Sequence, residues 1–421
     1  MTSRSWRLVV LLLATLLLAA ACGGTAKRPP SPTATGSPAS RSTPSPRPTP
    51  TPTPSASPTP LQPAAQVSFS VSTFTSGLTV PWSAVELPDG SFIVSERYGP
   101  IVHVGASGAL DAAPLITLAV HAAPANESGV LGLALDPHYP GQPYLYVDYT
   151  ATDNTDRVSR FTITQGGPDG IQLGSETNLL TIPEGNAATQ CCHYGGRIGF
   201  GPDGDLYITT GDAYVATNAM SLSNLDGKIL RITSTGGIPS DNPFPNSPIW
   251  AYGLRNPQGI AWTAAGVMYA SVNGPTGDLG LFHRDELEVI QKGGFYGWPL
   301  YAATTRTSVA DPGGLPQTIQ PILSSGDSAT WAPSGIAWWA PKPNVQPSLF
   351  VAELTGQTLM QVIVDPNNPS SVTATYNVIG GQGRLRDVVP IADSNCVLVL
   401  TSNDDGRGSG VKDQLLKACA G

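Results

Sequence analysis

The chain has 421 residues, a formal net charge of −8 and only 12% charged side chains. Six of its 22 basic residues precede residue 66, where no acidic residue occurs, so the remainder carries 16 basic against 30 acidic side chains. Such an acidic domain repels phosphate backbones, which argues against a nucleic-acid partner and favours small molecules or calcium.

The sequence of the first 22 residues predicts that the protein is exported. Arg4 and Arg7 precede an apolar run over residues 8–21, which is too short to span a bilayer comfortably and is typical of a secretory signal peptide. Small residues lead into Cys22, which indicates a bacterial lipoprotein signal over residues 1–21 with Cys22 as the lipidated first residue. An ordinary signal peptide with a coincidental cysteine is the alternative. We expect an extracytoplasmic protein held at the cell membrane only through this lipid.

The composition of residues 22–65 indicates a linker. Between residues 29 and 63 there are 13 prolines among Ser, Thr and Ala, a composition that favours extended polyproline II and cannot bury a core. At ~3.1 Å per residue this tether reaches roughly 100 Å from a membrane surface.

The remaining residues, 66–421, predict an all-β domain, because Gly and Pro separate short β-branched and aromatic runs and no amphipathic helix of ordinary length occurs. A unit of two apolar runs divided by a turn recurs at 87–97, 133–150, 200–212, 262–273, 338–354 and 389–403. Six copies predict a six-bladed β-propeller with about 59 residues per blade, more than the roughly 40–45 of a WD40 repeat. The extra length predicts long loops that build a site at one face, although the repeats alone also fit a bare interaction platform.

His193 is the strongest candidate for chemistry in this domain. It lies in the segment 191–197 (CCHYGGR), directly before a strand–turn–strand pattern at 200–212. An imidazole on a glycine-flanked loop titrates near neutrality and is suited to act as a general base, whereas a purely structural loop histidine is equally common. The cysteines other than Cys22 number four, so two disulfides can form in an oxidising compartment, namely Cys191–Cys192 and Cys396–Cys419. Free thiols are the alternative for the vicinal pair.

Several enzyme signatures are missing. No GxGxxG joins a strand to a helix, and neither HExxH nor GxSxG occurs, which disfavours nicotinamide, zincin and serine-hydrolase chemistry.

Segments distributed over residues 70–410 resemble the soluble pyrroloquinoline quinone (PQQ)-dependent sugar dehydrogenases, the glucose/sorbosone dehydrogenase family of six-bladed propellers. The matching segments, in order, are 77–82 (GLTVPW), 127–132 (ESGVLG), 193–197 (HYGGR), 227–232 (GKILRI), 252–259 (YGLRNPQG), 285–286 (DE), 296–299 (YGWP) and 383–387 (GRLRD).

The resemblance implies a cofactor site and a reaction. PQQ carries three carboxylates, and Arg384 and Arg386, two apart on a predicted strand, are expected to project from one face toward them. The resemblance adds further cofactor contacts at Arg255, Asn256, Thr330 and Glu127. It implies calcium at the carbonyls of Gly274 and Pro275, and a second calcium at Glu286 and the Tyr296 carbonyl. His193 would take the proton from the anomeric hydroxyl of an aldose, Arg255 would assist, and C1 would be oxidised to the lactone, with the electrons passed to an external acceptor.

Two positions depart from the family pattern. Cys192 stands where the family has an acid that orients the histidine, and the segment 350–356 offers Leu354 where the family has a lysine for the cofactor. We therefore expect an orienting acid and one cation to be missing and PQQ to bind more weakly. Two alternatives remain: a non-catalytic propeller that binds a glycan or a protein, and a calcium-dependent propeller lactonase, which the arginine pair disfavours.

Overall fold

Short β-strands joined by turns form nearly all of the described chain. The structure, a computed structural model, describes residues 61–124, 126–167, 170–183, 191–408 and 410–421. The predicted signal peptide, the lipidation site Cys22 and nearly all of the linker lie outside the described residues. Two short 3₁₀ helices, Ala216–Met220 and Asp278–Gly280, are the helical elements of the described ranges. No helix among these residues has the length and apolarity needed to cross a membrane.

Six four-stranded antiparallel sheets follow one another along the chain after the first strand, β1 (Phe69–Ser76). The first sheet contains β2 (Pro81–Glu86), β3 (Phe92–Glu96), β4 (Pro100–Val104) and β5 (Ile116–Thr117). The second contains β6 (Val130–Leu135), β7 (Tyr144–Thr150), β8 (Thr155–Gly167) and β9 (Gly170–Pro183). The third contains β10 (Ile198–Phe200), β11 (Leu206–Thr210), β12 (Lys228–Ile232) and β13 (Ile249–Tyr252).

The other three sheets repeat this order. The fourth contains β14 (Pro257–Trp262), β15 (Met268–Val272) and β16 (Glu286–Ile290), followed, after a separate hairpin of β17 (Tyr301–Ala302) and β18 (Thr305–Arg306), by β19 (Leu323–Ser324). The fifth contains β20 (Pro333–Trp339), β21 (Ser348–Glu353), β22 (Thr358–Asp365) and β23 (Asn368–Gly380). The sixth contains β24 (Leu385–Pro390), β25 (Cys396–Thr401) and β26 (Gln414–Ala420), with β1 as its outer strand.

The first strands of the six sheets form a closed ring. β2 contacts β6, β6 contacts β10, and the contacts continue through β14, β20 and β24 back to β2. This arrangement is a six-bladed β-propeller with the first strand of each blade lining the central channel. The predicted fold is confirmed, and each predicted repeat unit covers the turn between the first and second strands of one blade.

The ring closes through the N-terminal strand. β1 pairs antiparallel with β26, from Phe69 opposite Ala420 to Ser76 opposite Gln414. In the same blade a disulfide joins Cys396 to Cys419, which lie directly opposite each other on β25 and β26. The last blade is therefore built from both ends of the domain and cross-linked once.

Apolar side chains fill the spaces between neighbouring blades. Between the fifth and sixth blades, for example, Phe350 and Leu359 pack with Val397 and Leu416, all of them fully or almost fully buried. Burial of a large aliphatic or aromatic side chain contributes roughly 1.5–3 kcal/mol, so these blade interfaces hold the ring together. Inner strands such as β3 and β11 are buried along their whole length, because a neighbouring blade covers each of their faces.

Candidate active site

A cavity of about 410 Å³ opens at one end of the central channel. Its walls come from residues just before the first strand of a blade and from the loop between its second and third strands. Antiparallel pairing brings these two positions to the same end of the sheet. The lining residues are Glu127, Cys191, Cys192, His193, Tyr214, Arg255, Asn256, Asn273, Gly274, Thr276, Asp285, Thr330, Ala332, Leu354, Thr355, Arg384 and Arg407.

His193 lies in the cavity wall just before β10. Its side chain is 4% exposed, and its Nδ1 lies 2.6 Å from an oxygen of Asp212, which follows β11. The imidazole stacks on the ring of Tyr214 with 4.3 Å between centroids. Gly211 permits this approach, since a Cβ at that position would lie 1.9 Å from the His193 carbonyl oxygen. Because Nδ1 is engaged by Asp212, proton transfer with a ligand falls to Nε2.

Asp212 is the acid that orients the histidine. It also accepts hydrogen bonds from the Trp298 indole, at 2.7 Å, and from the Tyr214 backbone N–H, at 3.0 Å. Burial alone would raise the pKa of Asp212, but His193, the charge of Arg255 and the Trp298 indole lower it below its usual value, so the carboxylate stays ionised. The expectation that an orienting acid is missing was therefore wrong: the residue before His193, Cys192, does not supply it, but Asp212 on the adjacent strand does.

Glu127 fixes the backbone around His193. One of its oxygens accepts from the His193 N–H at 2.8 Å and from the Asn256 side chain at 3.2 Å, and the other pairs with Arg407 at 3.0 Å. The Asn256 oxygen accepts from the Gly195 N–H at 3.0 Å. Burial opposes ionisation of Glu127, yet Arg407 and His193 outweigh it and lower its pKa to about 2. These bonds hold His193 at φ +68°, a backbone region that few non-glycine residues adopt.

Two of the predicted cofactor arginines reach the cavity already paired with aspartates. Arg255 contacts Asp278 at 2.6 Å through Nε, and Arg384 contacts Asp405 at 3.1 Å. The sequence patterns did not indicate these partners. Each pair holds its guanidinium in place, and donors of the same group stay available to a ligand because a guanidinium has five N–H bonds.

Arg386 lies in the central channel rather than in the cavity lining. Arg384 lies just before β24 and Arg386 lies on it, at a β-bulge between Leu385 and Asp387. Arg384 pairs with Asp405, and the charge of Asp405 also acts on Arg386. Arg386 contacts Gln258 at 3.0 Å and Ser334 and Ser402 at 3.4 Å.

Within the described residues Arg386 has no ion-pair partner, and its buried Nε has no hydrogen-bond acceptor. Burial lowers the pKa of Arg386 to about 9. An anion bound beside it would stabilise its charged form.

The residues predicted for calcium lie in two places. Gly274 lines the cavity, and its N–H donates to Asp285 at 2.8 Å, while Pro275 is buried next to it. Glu286 lies at the start of β16 and accepts from the Ala303 N–H at 2.5 Å. Tyr296 packs in the core between the third and fourth blades, away from the cavity lining. The described part of the chain holds no group of three or more His, Cys, Asp or Glu side chains placed for a metal.

The remaining predicted positions also meet at the cavity. Thr330 lines it and contacts Nδ1 of His283 at 2.6 Å. Cys191 and Cys192 form a disulfide in its wall, and Arg407 donates to the Cys192 sulfur at 3.4 Å. Leu354, which stands where the family has a lysine, lines the cavity and contributes no charge to it. Arg407, from the loop between β25 and β26, is a cation of the lining that the motifs did not reveal.

Comparisons with known proteins agree with this architecture. The family model described as "Glucose / Sorbosone dehydrogenase" matches residues 78–416. The aldose sugar dehydrogenase YliI of Escherichia coli K12 is 30% identical over 369 residues, which cover 82% of this chain and 93% of that protein. Quinoprotein glucose dehydrogenase B of Acinetobacter calcoaceticus is 26% identical over 443 residues, covering 83% and 88%. The PQQ-bound structure of an aldose sugar dehydrogenase from Streptomyces coelicolor shares 33% identity, with a TM-score of 0.70 and coverage of 85% and 100%.

Proposed function

This chain belongs to the glucose/sorbosone dehydrogenase family of PQQ-dependent oxidoreductases, and on that premise we propose that it oxidises an aldose sugar at C1 to the lactone and passes the electrons to an external acceptor. The observation that carries the proposal is the buried His193–Asp212 pair in the wall of a cavity that also presents Arg255 and Arg384. A base and fixed cations in one enclosed site suit proton removal from a neutral sugar beside an anionic cofactor.

The residues present fit PQQ. A cavity of about 410 Å³ is within the range of small-molecule sites. Arg255 and Arg384 can donate to carboxylates from the cavity wall. Arg386 lies behind this wall, where the charges of the lining residues Arg384 and Glu127 act on it, and an anion that reached its buried Nε would complete the hydrogen bonding. When bound, PQQ supplies a two-electron acceptor for the hydrogen that leaves C1.

His193 performs the proton step in this proposal. Asp212 accepts the Nδ1 proton, which leaves the lone pair on Nε2 to take the proton of the anomeric hydroxyl. The imidazolium that forms is stabilised by ionised Asp212 and by Glu127, which lies against the same residue. Stacking on Tyr214 and the close packing around the ring keep its position fixed and water excluded.

Calcium is a further part of the proposal. The carbonyls of Gly274 and Pro275 at the cavity supply oxygen ligands of the kind calcium prefers, and Glu286 and the Tyr296 carbonyl supply a second set. In support of the second set, both carboxylate oxygens of Glu288, which is completely buried on the same strand as Glu286, have no hydrogen-bond partner in the structure. A cation nearby would offset the cost of burying these carboxylates.

We also propose that the protein is exported and anchored through a lipid on Cys22. The support is the apolar run and the small residues before Cys22, followed by a proline-rich linker. Labelling cells with a radioactive fatty acid should label the wild-type protein and leave a Cys22→Ser variant unlabelled. Equal labelling of both proteins would contradict the anchor.

Reconstitution tests the proposed activity. Apo-protein is loaded with PQQ and calcium, mixed with a panel of aldoses, and followed by reduction of a small dye. We expect dye reduction that requires PQQ and is abolished in His193→Ala, with PQQ binding nearly unchanged. His138→Ala is a matched control, because that histidine side chain is 78% exposed and lies outside the cavity lining. Native turnover in His193→Ala would refute the role of this residue, and lactone hydrolysis with calcium alone would indicate a lactonase instead.

A further inference from the structure

One lysine is completely buried beside the loop that carries the acid of the proton step. Lys228 is the first residue of β12 and is 0% exposed. Burial of an ammonium group is costly unless acceptors surround it. Its Nζ donates to the backbone carbonyl oxygens of three residues: Asn218 at 2.8 Å, Ala219 at 3.1 Å and Asp226 at 2.5 Å. Because an ammonium has three N–H donors, all of them are used within one loop.

This loop, residues 211–227, connects β11 to β12 and carries Asp212. Two of the three carbonyls belong to the 3₁₀ helix Ala216–Met220, and the third, that of Asp226, lies near the end of the loop. The ammonium of Lys228 therefore joins the two arms of the loop. Burial lowers the pKa of Lys228 to about 7, while the charges of Asp226 and Asp212 raise it. Asp212 and Lys228 thus lie close enough for their charges to interact.

The 3₁₀ helix of this loop packs against the tryptophan that holds Asp212. Ala219 is completely buried, and its side chain packs with Trp298. The Trp298 indole donates to Asp212 at 2.7 Å, and the other oxygen of Asp212 lies 2.6 Å from Nδ1 of His193. Contacts therefore run from Lys228 through Ala219 and Trp298 to the acid that orients the base.

The loop is closely packed at both of its ends. At one end the Asp212 N–H donates to the carbonyl of Arg255 at 2.8 Å. At the other end Gly227 leaves no room for a side chain, because a Cβ there would lie 2.6 Å from the Cβ of Ala219. Close-packed interiors transmit a displacement instead of absorbing it in empty space. Loss of the Lys228 contacts is therefore expected to move Asp212.

We propose that Lys228 is a positioning residue of the reaction: its ammonium fixes the 211–227 loop and thereby holds Asp212 where it orients His193. The inference rests on the proposed function, because the step that Lys228 serves is the proton transfer assigned to His193. Lys228 is not among the residues that line the cavity, so it acts through Asp212 and not on the sugar or the cofactor. A misplacement of about 1 Å in a catalytic group costs on the order of 100-fold in rate, so a residue behind the cavity wall can control turnover.

Steady-state kinetics of Lys228→Met test this role. Methionine has a similar length but no N–H donor, so the three carbonyls lose their partner. We expect kcat per PQQ-loaded site to fall about 10- to 100-fold, with the sugar KM and the PQQ affinity changed less than about threefold. Arg231→Met is the matched control, because Arg231 is a buried cation on the same strand that pairs with Asp203, Asp205 and Asp241 away from the cavity lining. It should lower stability and leave kcat within about threefold of the wild-type value.

A double-mutant cycle separates positioning from a general loss of stability. If Lys228 acts through Asp212, adding Lys228→Met to Asp212→Asn costs little more, and the double variant keeps kcat within about threefold of Asp212→Asn alone. Losses that multiply in full would overturn the proposal, because they would show that the two residues act independently. An unchanged kcat in Lys228→Met, or an equal loss in Arg231→Met, would overturn it as well.

A spectroscopic measurement tests the same contact without turnover. The proton between His193 Nδ1 and Asp212, atoms that lie 2.6 Å apart, should give a far-downfield proton NMR signal that is absent from His193→Ala. We expect Lys228→Met to shift or broaden this signal and Arg231→Met to leave it in place. A signal that does not change in Lys228→Met would reject the positioning role.

Two further controls keep the result interpretable. If Lys228→Met does not fold, Lys228→Gln, which keeps an amide donor at this position, is measured in the same way, and a native kcat with a native NMR signal would then reject the role. If no aldose reduces the cofactor in the wild-type protein, the proposed function fails, whereas the NMR signal still shows whether Lys228 holds the Asp212–His193 contact.

Discussion

Replacement of Asp212 by Asn tests the proton step most sharply. Asp212 is a hydrogen-bond acceptor for three donors: His193 Nδ1, the Trp298 indole and the Tyr214 N–H. An Asn side chain has only one oxygen. If that oxygen faces Trp298, its NH₂ donates to Nδ1 and the ring proton moves to Nε2, where it blocks proton uptake. If the oxygen faces His193, the NH₂ opposes the Trp298 N–H.

The expected loss follows from these contacts. Removing a buried charge-assisted hydrogen bond costs about 2–3 kcal/mol, which slows the reaction by roughly 30- to 150-fold. Selection of the wrong imidazole tautomer takes the loss in kcat toward roughly 10⁴-fold, as in hydrolase triads. Both side chains are almost completely buried, at 4% and 2% exposure, so water cannot replace the lost partner.

The assay is dye-linked sugar oxidation by the PQQ-loaded variant. We expect kcat to fall at least about 30-fold, with the affinity for PQQ changed less than threefold. Asp241→Asn is the control, because Asp241 is 62% exposed and pairs with Arg231 away from the cavity lining. A kcat within threefold of the wild-type value would refute the assignment of Asp212 as the partner of the base.

Three further predictions follow from the structure. Arg384→Gln should weaken PQQ binding by roughly 10- to 100-fold, the value of a charge-assisted bond to a carboxylate, and titration of apo-protein with PQQ measures it. Burial raises the pKa of Glu353 from 4.5 to about 7, so its contribution to stability is present below pH 4.5 and is lost as pH rises through 7. Unfolding with denaturant should therefore show up to roughly 3 kcal/mol of pH dependence that Glu353→Gln removes, whereas an unchanged profile would contradict the assignment. Replacing both Cys396 and Cys419 by Ser should lower the unfolding free energy by about 3 kcal/mol, because their disulfide closes a short loop across the blade that closes the ring.

The blade order could be predicted because the inner strands follow a simple rule. The second strand of each blade is buried along nearly all of its length, as β3 and β11 show, and it follows another apolar run after a turn. Outer strands were harder to locate, since β9 and β23 are half exposed along much of their length. The sequence therefore predicted the number of blades but not the bounds of their outer strands.

Site residues that belong to a short sequence motif could be predicted. Residues that reach the site only because two strands pair could not. His193, Arg255 and Arg384 stand in recognisable segments and all reach the cavity. Asp212 was missed because it meets the histidine only through the β10–β11 pairing, although both flank the same predicted hairpin. Arg386 lies outside the cavity lining, at a β-bulge that the amino-acid pattern does not reveal.

The most direct measurement is a single turnover with labelled sugar. PQQ-loaded protein is mixed without oxygen or dye with aldoses that carry hydrogen or deuterium at C1, and the absorbance of the cofactor is followed. We expect that at least one aldose reduces the cofactor, that deuterium slows this reduction, and that His193→Ala abolishes it. Absence of reduction by every aldose, in protein shown to contain PQQ, would contradict the proposed sugar oxidation.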